Sequence, residues 1–273
     1  MSKLPRIGLV VEGNVTRSSM LRLRRLPELL GPIKATLPRV AKRLSNFLHG
    51  GYVAQEYQEL EAASLILLRM PDSVVVDTVA QLAATDLPFR RLAFVLCESW
   101  LTSDSLSALA QLGSSVASVV PLPGRRNRYL AEGQVSAIRT VRSFLEYSEA
   151  TVLQIRPGSK ARCFAAGVIA GALPMPLYLV AQQALRESGV TGNNLTMAVE
   201  EMAQTLLREF TKGARATWGG PLTEASDEAR ELHMKYLALH EPELKDTLDS
   251  YLNLAKQTFR RQRGPRRLAS TAG

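Results

Sequence analysis

The sequence predicts an α/β domain on a mostly parallel sheet, followed by an all-α domain, and three observations carry that expectation. Short apolar runs alternate with amphipathic stretches from Arg6 to about Ile155, the pattern of strands and helices that build a parallel sheet. After about residue 157 the strand signals stop and long helical stretches remain. The first apolar run, Ile7 to Val11, leads into Glu12-Gly13-Asn14-Val15-Thr16, where such a sheet turns into its first helix.

The strand candidates, in order, are Ile7 to Val11, Ile33 to Ala35, Leu65 to Leu68, Leu92 to Leu96, Val116 to Val120 and Val152 to Ile155. Between them, Arg17 to Leu30 offers Met20, Leu21, Leu23 and Leu26 at helical spacing, and Arg39 to Leu48 offers Val40, Leu44, Phe47 and Leu48. Ser73 to Ala83, Ser103 to Leu112 and Ser136 to Tyr147 complete the helices of this half, with Ser103-Asp104 suited to a helix start. The helices expected beyond are Arg162 to Ser188, Leu195 to Lys212, Asp227 to Leu239 and Pro242 to Arg260, and Pro242 suits a first helical position. With 273 residues the chain is long enough for two domains, set at 1–156 and 157–262, with 263–273 expected to be a disordered basic tail.

Hydrophobic residues at 46% and charged residues at 22% fit a soluble globular protein. The net charge of +9 comes largely from local clusters: Arg17, Arg22, Arg24 and Arg25, then Arg39, Lys42 and Arg43, then the Arg-rich tail. A solvated surface is the preferred reading of these, with nucleic-acid contact the lesser alternative. Two distant cysteines, Cys97 and Cys163, give neither a disulfide framework nor a zinc spacing, so a reducing cytoplasm is expected. Cys163 to Leu185 is uncharged and long enough to cross a bilayer, but Pro174, Pro176, Gln182 and Gln183 favour a buried central helix, bent or restarted at the prolines.

A dinucleotide site needs a glycine-rich turn after the first strand, so that backbone can approach the pyrophosphate. With Gly13 as the second glycine of that motif, Val11 and Thr16 stand at the first and third positions. A plain strand-to-helix turn with no nucleotide therefore stays open beside the binding turn. An acid that would grip the ribose hydroxyls of NAD is missing from Ile33-Lys34-Ala35-Thr36-Leu37-Pro38-Arg39. If a dinucleotide binds, NADP is favoured, with Arg39 and either Lys34 or Arg43 as partners of its extra phosphate. Further on, Met70-Pro71-Asp72 ends a buried strand in a turn at the edge where ligands of such folds bind.

Through Met70-Pro71-Asp72, Leu130-Ala131-Glu132-Gly133 and Trp218-Gly219-Gly220-Pro221-Leu222 the chain resembles bacterial relatives of pyrroline-carboxylate reductase, the group with a Rossmann-like domain and a C-terminal helical domain of unknown function. The resemblance implies a 6-phosphogluconate dehydrogenase-type C-terminal fold, a homodimer through that domain, and an NAD(P)-dependent oxidoreductase acting on a small carbonyl or imine compound. Departures are equally clear. Cys97-Glu98-Ser99-Trp100 stands where that family has Ser-Gly, Val120-Pro121-Leu122 keeps a proline and loses a histidine, and Arg162-Cys163-Phe164-Ala165-Ala166 replaces a Tyr-His-Ala-Ala run. Loss of those groups makes a non-catalytic ligand-binding or protein-interaction scaffold the alternative.

The cofactor-binding residues expected are Gly8, Gly13, Asn14, Val15, Arg39, Met70, Pro71, Asp72 and Cys97. Glu98, Glu132 and Asp72 are the carboxylates best placed to meet a ligand, and none has a partner that makes it an acid or base. His49, His233 and His240 form no metal-ligand or nucleophile-base spacing, so no metal and no catalytic residue is assigned. A small-molecule substrate and a second copy of the chain are the partners expected; membrane is not, and nucleic acid is the remote one.

Overall fold

A computed structural model describes residues 6–13, 18–122, 127–212 and 225–262. The chain divides into two compact units, Met1–Gly167 and Val168–Gly273. The first unit is an α/β domain around one eight-stranded sheet in the order β3-β2-β1-β4-β5-β6-β7-β8. Its strands are β1 (Ile7–Val11), β2 (Leu30–Ala35), β3 (Tyr52–Val53), β4 (Leu65–Arg69), β5 (Ala93–Cys97), β6 (Ser115–Pro121), β7 (Arg128–Gly133) and β8 (Thr151–Gln154). Strands β1 to β6 run parallel, β7 runs antiparallel to β6, and β8 pairs parallel with β7.

Side chains alternate across the pleat, so each central strand feeds two cores. Leu9, Val11, Leu65, Leu67, Val95 and Cys97 belong to one buried cluster, and Val10, Ile66, Leu68, Phe94 and Leu96 to the other. Burial on both faces explains why these strands read as unbroken apolar runs. Helices α2 (Pro38–Leu48) and α5 (Val135–Tyr147) add Ala41, Leu44, Val141 and Phe144 to the first core. From the opposite face, α3 (Val75–Ala83) and α4 (Ser107–Gln111) add Val75, Val79, Leu82 and Leu109 to the second.

The segment after β1 corrects an expectation. No long helix spans Arg17 to Leu30: among the described residues there is a 3₁₀ turn at Met20–Arg22 and a single helical turn, α1 (Leu26–Leu29). Leu23 is extended with ψ 128, which breaks the helix between the two turns, and Pro27 has no amide to continue it backwards. Leu21, Leu23 and Leu26 still reach the core, so the apolar periodicity reported burial rather than a helix. β2 starts three residues earlier than expected, at Leu30, and the short β3 was not foreseen.

Helix α6 (Lys160–Gly167) ends the first unit; a π-helical turn, Val168–Ala172, and α7 (Pro174–Glu187) open the second. The restart at Pro174 is as expected, but the burial is not. Lys160 to Glu187 is long and apolar enough to cross a membrane by length and composition, with mean hydropathy 1.9, and none of its apolar window is buried within the chain. The second unit continues through α8 (Asn193–Thr211), α9 (Asp227–His240) and α10 (Pro242–Gln262). Among its described residues only Leu195 and Val199 are buried, while Leu173, Leu179, Leu206 and Phe210 are exposed. The second unit is therefore all-α, and the Trp218 to Leu222 turn lies outside the described residues.

Candidate functional site

In a sheet of this order, the chain leaves β1 toward one side and returns through β4 on the other, so their carboxyl ends frame a crevice. Val11 at the end of β1 lies in register with Arg69 at the end of β4, and the Glu12 amide donates to the Arg69 carbonyl at 3.1 Å. Gly13 follows with φ +70, and a Cβ there would stand 3.0 Å from the Pro71 ring. Glycine is needed at that turn for both reasons. Thus Gly13, Pro71 and Asp72 are brought together at the crevice.

Other expected residues fall elsewhere. Gly8 lies in mid-strand, where a Cβ would sit 2.7 Å from Ile66 Cδ1, so it serves packing and not a ligand. Met70 is buried in the second core. Cys97 is wholly buried, its thiol on the Val95 carbonyl, and burial, reinforced by the Glu98 charge, pushes its pKa up; it is an inert core thiol. Val11, aligned with a motif glycine, fills the first core. Asn14, Val15 and Thr16 lie outside the described residues. Arg39 is exposed near the start of α2, whereas Lys34 is engaged with the Gln55 carbonyl and the Tyr57 ring.

The polar groups at this edge are organised by two carboxylates. Glu98, just past β5, has φ 58, a left-handed backbone that costs a side-chain-bearing residue on the order of 1 kcal/mol. Its carboxylate accepts from Arg69 Nε at 2.7 Å, Ser19 Oγ at 2.7 Å and the Met20 amide at 2.9 Å. Ser19 Oγ also lies 3.2 Å from the Tyr129 hydroxyl, joining β7 to the network. Burial pushes the Glu98 carboxyl upward, but the Met20 amide, the Ser19 and Ser18 hydroxyls and the Arg69 charge outweigh it and hold the group below the ordinary carboxylate range. Glu12 accepts from the Thr36 amide at 2.7 Å and from the Thr36 hydroxyl, at the end of β2.

Two further groups shape the loops behind the crevice. Lys160 is 1% exposed and donates to the Ser99 carbonyl at 2.6 Å, the Leu101 carbonyl at 2.7 Å and the Ser118 hydroxyl. Burial pulls its pKa down to about 8, against the pull of Glu132 and Asp72. The Ser99 hydroxyl donates in turn to Asp72 Oδ1 at 2.6 Å, so the clamp reaches the turn after β4. Glu132 is buried on the Ser103 amide at 2.6 Å and the Ser103 hydroxyl, so it caps that turn instead of meeting a ligand. Sequence reasoning missed the partners of Glu98 and Lys160, which lie 29 to 79 and 42 to 61 residues away. Arg69, a charge closing an apolar strand, was the one local signal.

Among the described residues no group of three or more His, Cys, Asp or Glu is placed to hold a metal. A dinucleotide fits this edge in part. Gly13 keeps the positive-φ turn that such a site uses, with Pro71 filling the direction its Cβ would take, while among the described residues the Ser19 hydroxyl and Met20 amide are engaged by Glu98 and the Thr36 amide and hydroxyl by Glu12.

Fold and crevice together define a Rossmann-type chain with a helical C-terminal unit. Scans against protein-family models and curated proteins find no match. Solved structures do match over nearly the whole chain. A candidate NADP oxidoreductase from Bacteroides fragilis is 13% identical with a TM-score of 0.71, covering 92% of this chain and 96% of that one. An imine reductase from Myxococcus stipitatus in complex with NADP+ is 15% identical, with a TM-score of 0.61 and coverage of 94% and 94%. A pyrroline-5-carboxylate reductase from Coxiella burnetii is 11% identical, with a TM-score of 0.57 and coverage of 93% and 98%. The chain has the fold of these reductases, helical C-terminal unit included.

Proposed function

We propose that the protein is a nicotinamide-dinucleotide-dependent oxidoreductase that acts on a small carbonyl or imine compound, with its cofactor at the β1/β4 edge. The observation that carries this reading is the turn at Gly13, φ +70 and packed on Pro71, at the switch point of a sheet shared with reductases over more than nine-tenths of the chain. NADP is the preferred cofactor, because Arg39 stands exposed just after β2 and forms no ion pair or hydrogen bond among the described residues. Asp72 lines the same edge. Hydride transfer is chemistry the cofactor supplies when bound; this chain's residues bind and orient.

Calorimetric titration with NADPH and NADH tests the reading. Micromolar NADPH binding that weakens more than NADH binding in Arg39→Ala supports it, and no heat with either cofactor sinks it. A second reading, a non-catalytic scaffold, is favoured by the absence of a long helix among the described residues between β1 and β2 and by the engagement of Met20, Ser19 and Thr36 with Glu98 and Glu12.

The second unit supports a homodimer. Leu173, Leu179, Leu206 and Phe210 are each more than half exposed, and apolar helices of this extent need cover. Light scattering should give twice the chain mass, with Leu206→Glu and Phe210→Glu together producing a monomer; a native monomer refutes the dimer. The two unpaired thiols suit a reducing cytoplasm as the working compartment.

A further inference from the structure

Two donors on the Glu98 carboxylate, the Ser19 hydroxyl and the Met20 amide, belong to the segment that follows β1. That segment is where a Rossmann cleft offers its donors to a cofactor diphosphate. Another donor, Arg69, closes β4 on the other side of the crevice. A carboxylate oxygen and a phosphate oxygen ask for the same N–H and O–H donors at the same distances. The side chains of Glu98 and Arg69 are 9% and 18% exposed, so their ion pair is shielded from solvent screening. It also leaves the crevice without net charge from these two residues.

The backbone gives an independent sign that Glu98 is held where it is for its side chain. With φ 58 the position favours glycine, yet it carries a glutamate whose carboxylate reaches partners from two other segments. Glu12 repeats the arrangement at the end of β2, where its carboxylate covers the Thr36 amide and hydroxyl.

We propose that Glu98 is a resident anion of this cleft: its carboxylate takes the place of a diphosphate on Arg69, Ser19 and Met20, and an external diphosphate enters only when Glu98 leaves. The inference rests on the reading of the β1/β4 edge as a cofactor cleft. It names the contact that dinucleotide binding must break.

The test is calorimetric titration of the full chain with inorganic pyrophosphate and, separately, with NADPH. Native protein, Glu98→Gly, Glu98→Gln and the double variant Glu98→Gly with Arg69→Met are compared, after circular dichroism has confirmed the fold of each. Glu98→Gly removes the carboxylate and relaxes the backbone, and should bind pyrophosphate tighter than native by about tenfold or more. The added Arg69→Met change should abolish that gain. Glu98→Gln keeps the shape without the charge and should gain in the same direction, so the proposal stays testable if the glycine variant fails to fold. Equal pyrophosphate binding in native and folded variants, or a gain that survives loss of Arg69, overturns it. If NADPH binds native and Glu98→Gly alike and pyrophosphate shows no gain, the resident anion fails and the reductase reading stands. If pyrophosphate gains while NADPH binds no form, the reductase reading fails and the resident anion stands.

Discussion

Lys160→Met tests how the loops behind the crevice are held. The ammonium supplies donors to the Ser99 and Leu101 carbonyls and the Ser118 hydroxyl in a site that is 1% exposed. Methionine fills similar volume but leaves the Ser99 carbonyl without its donor, while the Leu101 carbonyl keeps the Ser118 hydroxyl at 2.9 Å. A buried unpaired group costs about 1–3 kcal/mol, and relief of the buried charge offsets part of it, so a net loss of about 1–2 kcal/mol is expected at neutral pH. The pH dependence is the sharper signature. Folded Lys160 releases its proton near pH 8, whereas in the unfolded chain it keeps the proton to its ordinary value of 10.5. Between those values the unfolded state binds more protons, so the native protein gains stability as pH rises. From pH 8 to pH 9 the gain is about 1 kcal/mol. The Cys97 thiol, raised by burial, acts in the opposite direction as the unfolded thiol ionises, but native and variant share it. Urea melts at several pH values, followed by Trp100 fluorescence in a Trp218→Phe background, should therefore show the gap between native and Lys160→Met widening by about 1 kcal/mol over that interval. A constant or narrowing gap would refute the account of Lys160.

Three further outcomes follow from single positions. Gly133 has φ +130, and a Cβ there would lie 2.5 Å from the Val116 carbonyl; Gly133→Ala should cost about 3 kcal/mol or more in urea melts, and a neutral result contradicts the β6–β7 register. Ser148 carries a buried hydroxyl without a partner among the described residues, so Ser148→Ala should raise stability by about 1 kcal/mol, and a loss would show that the hydroxyl is satisfied. Because the Glu98 carboxyl is held below its ordinary value of 4.5, it contributes stability that is present above that value and lost as pH falls through its folded pKa. Thermal melts should show Glu98→Gln with a flatter acid limb than native, and parallel acid limbs would count against the network.

The sheet was legible in the sequence because burial on both faces writes unbroken apolar runs, as at Leu65 to Leu68. The turn at Gly13 and the Pro71-Asp72 edge were legible because glycine and proline act locally. The missing helix after β1 was not. Met20, Leu21, Leu23 and Leu26 have helical spacing and all are buried, but an extended Leu23 and Pro27 deliver the same side chains through two short turns. The Glu98 network and the Lys160 clamp stayed hidden because their partners are distant in sequence and meet only when β1, β4, β5 and α6 are assembled. The Lys160 ammonium lies under the loop after β5, on carbonyls 59 and 61 residues away in sequence.

The central claim, that a nicotinamide dinucleotide sits at the β1/β4 edge, is tested most directly by hydrogen exchange of the full chain with and without saturating NADPH. Protection of the amides of Glu12 and Gly13 together with those of Met70 and Asp72, with the second core strands unchanged, is the predicted result. No change in exchange at either segment, or protection confined to other parts of the chain, would contradict it.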